Sequence, residues 1–176
     1  MQRILNGFLL VGFLLTVSGL SYFLLSQPKT GYVDINKIYN DFDLKKELES
    51  KLKNVQQARK IILDSLGLKI NLLSNAIKLN KSGEKEKAKK IEEYEAKRTE
   101  YLYKEKAFKE DNDRTSQQYS DQIWKQINQY VGDYGKEHSY TYIFGADGSG
   151  GMMYASEKSN ITEEIKGYVN SKYKNK

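Results

Sequence analysis

From Asp43 onward the apolar positions fall into a helical rhythm. Leu44, Leu48, Leu52, Val55, Ile62, Leu66, Leu73 and Ile77 are separated by 4, 4, 3, 7, 4, 7 and 4 residues, a near-heptad stripe. Charged and amide side chains fill most intervening positions, and no Pro or Gly interrupts before Gly67. The pattern stops at Asn80-Lys-Ser-Gly83, where Asn, Ser and Gly favour a turn. A second polar helix is predicted from Glu84 to Glu137, with a looser stripe of Ala88, Ile91, Tyr94, Tyr101 (or Leu102), Phe108, Tyr119, Ile123, Ile127, Tyr130 and Tyr134. The two read as an antiparallel helical hairpin, residues 43–137, with its tip near 80–84. As helices the segments span about 57 Å and about 80 Å, so the returning helix should overshoot and bury Trp124, Ile127, Tyr130 and Tyr134 at the base.

The flanks change period. Gly31-Tyr-Val-Asp-Ile35 is strand-like, and Asn36 to Phe42 has room for a helical turn or two. Tyr140-Thr-Tyr-Ile-Phe144 is β-branched and aromatic, Gly145 to Gly151 is a turn, and Met152-Met-Tyr-Ala155 is the expected return strand. Asn160 with Glu163 suggests a capping box before a helix that presents Ile161, Ile165, Tyr168 and Val169. Residues 29–42 and 138–176 thus form a predicted β-rich head. Residues 30–42 and 138–176 total only 52, too few for a comfortable core while the hairpin projects away. Three short strands also leave edges that association would pair. The expected fold class is α+β, mostly α: a small β-rich oligomerisation head, a long antiparallel α-helical hairpin, and a transmembrane or signal helix in front.

That leading segment is residues 1–28. Ile4 to Leu25 is a 22-residue stretch without a charged side chain, longer than the roughly 7–15 apolar residues of a signal-peptide centre. An uncleaved inner-membrane anchor through residues 4–25 is expected, with a cleavable signal as the alternative. Arg3 and the amino terminus set it N-inside, which translocates everything after Gln27.

Composition removes most catalytic chemistry. The chain has no Cys, one His and one Pro among 176 residues. Disulfides, thiolate metal sites, a Cys nucleophile and paired His ligands are all excluded. Asp147-Gly-Ser-Gly-Gly151 only faintly echoes a serine-protease nucleophile, and His138 stands at a helix end without an orienting acid, so Ser149 reads as part of a flexible turn. The Asn160-Ile-Thr162 sequon is a weak match. No enzyme, cofactor or metal is expected. Between Lys45 and Arg114 there are 19 basic and 13 acidic residues, so the whole net charge of +6 lies on the hairpin. Lys81, Lys85, Lys87, Lys89 and Lys90 gather near the tip, as for an acidic partner or anionic surface.

The opening Gly-Tyr-Val-Asp-Ile, the basic hairpin, and the final Tyr-Thr-Tyr-Ile-Phe-Gly-Ala-Asp … Met-Tyr-Ala … Asn-Ile-Thr-Glu-Glu-Ile resemble the Skp/OmpH family of periplasmic chaperones over about Gly31 to Tyr173. Asn160 stands where that family starts its last helix with Asp, and both can cap. The resemblance implies an ATP-independent holdase chaperone, a homotrimer whose arms enclose a cavity for unfolded outer-membrane proteins. It carries over no catalytic residue, and it implies a periplasmic location. The candidate client contacts are then Lys81, Lys85, Lys87, Lys89, Lys90, Tyr94, Tyr101, Tyr103 and Phe108, and the candidate trimer head core is Val33, Ile35, Ile143, Phe144, Met153 and Tyr154. A membrane-anchored coiled-coil scaffold of the cell envelope is the alternative. Nucleic acid is not an expected partner, because no binding motif is present and translocation separates the chain from it.

Overall fold

A computed structural model describes residues 16–18, 27–79 and 83–175. The expected anchor over residues 4–25 lies outside these except for 16–18, which are helical. Among the described residues no helix is long and apolar enough to cross a membrane. The order is β1 (Thr30–Asp34), α1 (Ile35–Asp41), α2 (Asp43–Lys78), α3 (Glu84–Glu137), β2 (Tyr142–Ala146), a 3-10 turn (Glu157–Ser159) and α4 (Thr162–Lys174). The expected hairpin of α2 and α3 is there. Residues 80–82 of its tip lie outside the described residues.

β1 and β2 pair in parallel, with Thr30 opposite Tyr142 and Asp34 opposite Ala146. Parallel neighbours need a crossover, and here the crossover contains the entire hairpin. On its other edge β1 bridges to Asn160, and the Ile161 N–H donates to the Tyr32 carbonyl at 3.0 Å. Two close approaches require glycine: a Cβ on Gly31 would sit 2.8 Å from Ile161 Cδ1, and one on Gly145 2.9 Å from Ile35 Cγ2.

Three expectations need correction. Met152 to Ala155 forms no strand: it has no regular structure, and among the described residues β2 pairs with β1 alone. β2 starts two residues later than expected because Tyr140 closes α3 instead. Ser139 turns left-handed at φ 56°, and the Tyr140 N–H donates to the Gly135 carbonyl at 2.8 Å. The capping box is replaced by an Asx turn: Asn160 Oδ1 accepts from the Thr162 N–H at 3.1 Å and its hydroxyl at 2.6 Å, while Glu163 pairs with Lys166 at 2.6 Å.

The core lies where all elements meet. Val33, Ile38, Phe42, Leu44, Leu48, Ile123, Ile127, Tyr130, Tyr134, Ile161, Ile165 and Val169 form one buried cluster. The hairpin's own base therefore supplies half of that core, contrary to the expectation that it projects away. Trp124 is half-buried and stacks on Tyr39 at 4.8 Å. Phe42 breaks the chain between α1 and α2 with extended backbone (ψ 126°), and its ring is fully buried between Tyr130 and Tyr173. Asn170 of α4 holds this break. Its carbonyl accepts from the Asp43 N–H at 2.8 Å, and its amide donates to the Asp41 carbonyl at 3.2 Å.

Candidate functional site

Along the hairpin, Leu52, Arg59, Leu63, Leu66, Ile70, Leu73 and Ile77 are among the buried or half-buried positions of α2 and follow heptad spacing. Val55 and Ile62 were expected in this seam and are exposed instead. Arg59, Leu63 and Ile70, none of them in the expected stripe, stand in the seam. The Arg59 guanidinium pairs with Asp111 and Asn112 of α3 and lies 5.3 Å from the Phe108 ring centre. Such a fork of donors makes a cation tolerable in a helix interface. Arg59 and Arg114 both hold the Asp111 carboxyl below the usual range. Beside this cluster is an open groove of about 410 Å³, lined by Leu63, Tyr101, Glu105 and Phe108 among others.

The candidate client contacts divide. Tyr94, Tyr101 and Phe108 are half-buried in the seam, whereas Tyr103 is 74% exposed and Leu102 also points outward. Lys85, Lys87 and Lys89 are exposed, and Lys90 pairs with Glu86 at 2.8 Å. Lys81 lies outside the described residues. The hairpin's charge is uneven between its helices. Lys45 to Lys81 carries nine basic and three acidic residues, whereas Glu84 to Arg114 carries ten of each. The stripe read from the sequence left out a further feature, Ile61, Leu68 and Leu72 on α2 and Leu79 just past its end, all exposed. Their 7, 4, 7 spacing was the available signal.

At the base, Val33 is buried within its own chain, and Ile35 and Ile143 pack against the same cluster. Phe144 is half-exposed and stacks on exposed Tyr142 at 5.9 Å. Met153 and Tyr154 are 89% and 87% exposed. The structure thus leaves Tyr142 and Phe144 of β2, and Met153 and Tyr154 after the glycine-rich turn, as uncovered side chains. Ser149 is held in a turn: its N–H and hydroxyl both donate to Asp147 Oδ1, at 2.8 and 2.6 Å, with Gly148 and Gly150 at positive φ. The His138 ring lies on Tyr134, 4.1 Å between centres.

The base also carries a pH signature. The Tyr173 hydroxyl donates to the Glu47 carboxylate, and this bond, with burial, pushes the phenol up to about 12. Glu47 is lowered chiefly by Lys51, Asp43 by Lys174, and Glu137 by Tyr168 and Lys172. A raised phenol stabilises below its ordinary value of 10.0 and loses that contribution as pH climbs toward 12. The depressed carboxylates stabilise above their ordinary values and lose that contribution in acid. Thermal melts should therefore show a fall from about pH 10 to 12 that Tyr173→Phe lessens, and a separate fall in acid that remains. An unchanged alkaline flank in Tyr173→Phe would refute the assignment.

A model of the family described as outer membrane protein (OmpH-like) matches residues 29–169. The fold is similar to that of a Caulobacter crescentus protein described as an OmpH-like outer membrane chaperone, solved by crystallography. The TM-score is 0.71 and the identity 11%, over 84% of this chain and 86% of that one. That likeness speaks to the fold. No curated protein matches this chain significantly. With the family model spanning strand, hairpin and most of the final helix, this chain belongs to the OmpH-like family.

Proposed function

We propose that this chain is an ATP-independent holdase chaperone that shelters unfolded outer-membrane proteins in the cavity of a homotrimer. In this reading residues 29–42 and 138–176 are the trimer head and residues 43–137 the arm. The protein works in the periplasm, tethered to the inner membrane through residues 4–25 with the N-terminus inside. The observation that carries the reading is a long cationic hairpin raised on a small base whose apolar residues Tyr142, Phe144, Met153 and Tyr154 are left uncovered. Family membership supports the same reading. A purely scaffolding coiled coil would favour an unbroken apolar seam, and Arg59, Lys97 and Lys104 occupy inward or half-buried positions here.

Clients would be drawn in by charge and held by apolar contact. Lys81, Lys85, Lys87, Lys89 and Lys90 supply the attraction, and Tyr103 the exposed aromatic contact, with Tyr94, Tyr101 and Phe108 reachable only at the rim of the seam. The screening length drops from about 10 Å at 0.1 M salt to about 3 Å at 1 M. Light scattering should show that the full chain suppresses aggregation of an unfolded membrane β-barrel. Stopped-flow mixing should show capture slowed about tenfold by high salt or by reversing Lys85, Lys87 and Lys89 to Glu, with release little changed. Unimpeded aggregation would overturn the holdase reading. Capture indifferent to salt and charge reversal would overturn only the steering role of the lysines.

A further inference from the structure

Beyond client holding, one helix face has no role in the hairpin or the base. Ile61, Leu68, Leu72 and Leu79 are 59%, 61%, 59% and 78% exposed. At 100° per residue they cluster on a line about 160° round α2 from the seam with α3. Adding the exposed residues at the same phase gives Asn54, Ala58, Ile61, Ser65, Leu68, Leu72, Asn75 and Leu79, spaced alternately by four and three residues. None of these eight carries a charge, and the line runs for about 37 Å. A helix with one heptad seam satisfied and a second one bare is built to take another helix.

The period selects the occupant's conformation. A second helix repeats its contacts about every 5 Å, in step with this line, while an extended strand repeats on one face about every 7 Å and drifts out of phase. Ala58 and Ser65 leave holes between the larger side chains, and Asn54 and Asn75 are polar positions of the type that fixes register in coiled coils. Charge selects the chemistry. Between Ser50 and Gly83 there are seven basic residues and one acid, Asp64. Two copies of this face would repel each other, which argues against self-pairing. We infer that the outer face of α2 is a docking surface for an amphipathic helix of another protein, with apolar residues at three- and four-residue spacing and acidic flanks.

The test uses the full chain without any unfolded client, so its outcome is independent of the holdase reading. The probe is a labelled 24-residue peptide with Leu at alternating three- and four-residue spacing and Glu on both flanks. Controls are a scrambled sequence of the same composition and a version with Lys in place of Glu. Anisotropy and circular dichroism should show saturable binding with helix gained, at least tenfold weaker for either control. Leu68→Ser with Leu72→Ser should weaken binding at least tenfold while the melting curve stays cooperative, because neither side chain touches α3. Equal binding of the scrambled peptide would overturn the inference in favour of unspecific apolar contact. Self-association of the chain alone that the double substitution abolishes would overturn it in favour of a second copy. Unaltered peptide binding by the double variant would place the site elsewhere and overturn it as well.

Discussion

Met153→Asp is expected to turn a trimer into a folded monomer. Met153 is 89% exposed in the single chain, so a carboxylate there disturbs nothing inside the protomer. In the proposed trimer, assembled through the uncovered Tyr142, Phe144, Met153 and Tyr154, the same carboxylate would be buried without a partner, at a cost of several kcal/mol. Sedimentation velocity of the full chain should show the sedimentation coefficient falling to that of one protomer, with unchanged far-ultraviolet circular dichroism. Ile143→Asp makes the informative contrast. Ile143 packs against the chain's own core, and its Cδ1 lies 3.4 Å from where a Cβ on Gly135 would stand, so that charge should unfold the protomer as well. A Met153→Asp protein that sediments like the parent would exclude Met153 from the assembly surface and overturn assembly through these uncovered residues.

Phe42→Ala should be the most damaging truncation inside the protomer. The ring is fully buried and meets Tyr130 edge-on at 6.4 Å and Tyr173 at 5.6 Å. Removing a buried Phe typically costs about 3–5 kcal/mol, part of it from the cavity left behind. Phe42 also marks the break between α1 and α2, so its loss should release the Asn170 bonds to Asp41 and Asp43 that fix the hairpin's departure angle. Urea unfolding followed by tyrosine and tryptophan fluorescence measures the cost directly. A loss below about 1 kcal/mol would mean that the site collapses around the gap and that the break is set by α4 alone.

Much of this architecture is local and was therefore legible in the chain. The two hairpin helices follow from period and from turn residues at 80–83, and the observed bounds Asp43–Lys78 and Glu84–Glu137 lie close to the expected ones. Leu44, Leu48 and Leu66 were identified as inward-facing because leucines at that spacing have nowhere else to be satisfied. Burial of Ile127, Tyr130 and Tyr134 followed from the overshoot of the longer helix, a matter of rise per residue.

What the sequence could not decide is the exact membership of the seam on α2. Apolar periodicity placed Leu52, Leu66, Leu73 and Ile77 there, where they lie, but added Val55 and Ile62, which are exposed, and left out Arg59. Arg59 turns inward because Asp111, Asn112 and the Phe108 face, more than fifty residues away along the chain for the polar pair, satisfy it there. Tyr94, Tyr101 and Phe108, part of the expected α3 stripe, are half-buried, while Leu68 and Leu72 remain exposed. The return strand failed because pairing is not local: Met152 to Ala155 has strand composition, but composition does not decide whether a segment meets an edge, and here it pairs with none. The sequence by itself determined the two hairpin helices and the cationic character of the arm, both set by nearby residues. Only the tertiary structure decided which helix faces are covered and which apolar side chains remain exposed, because pairing across the hairpin and across strands depends on residues that meet only after folding.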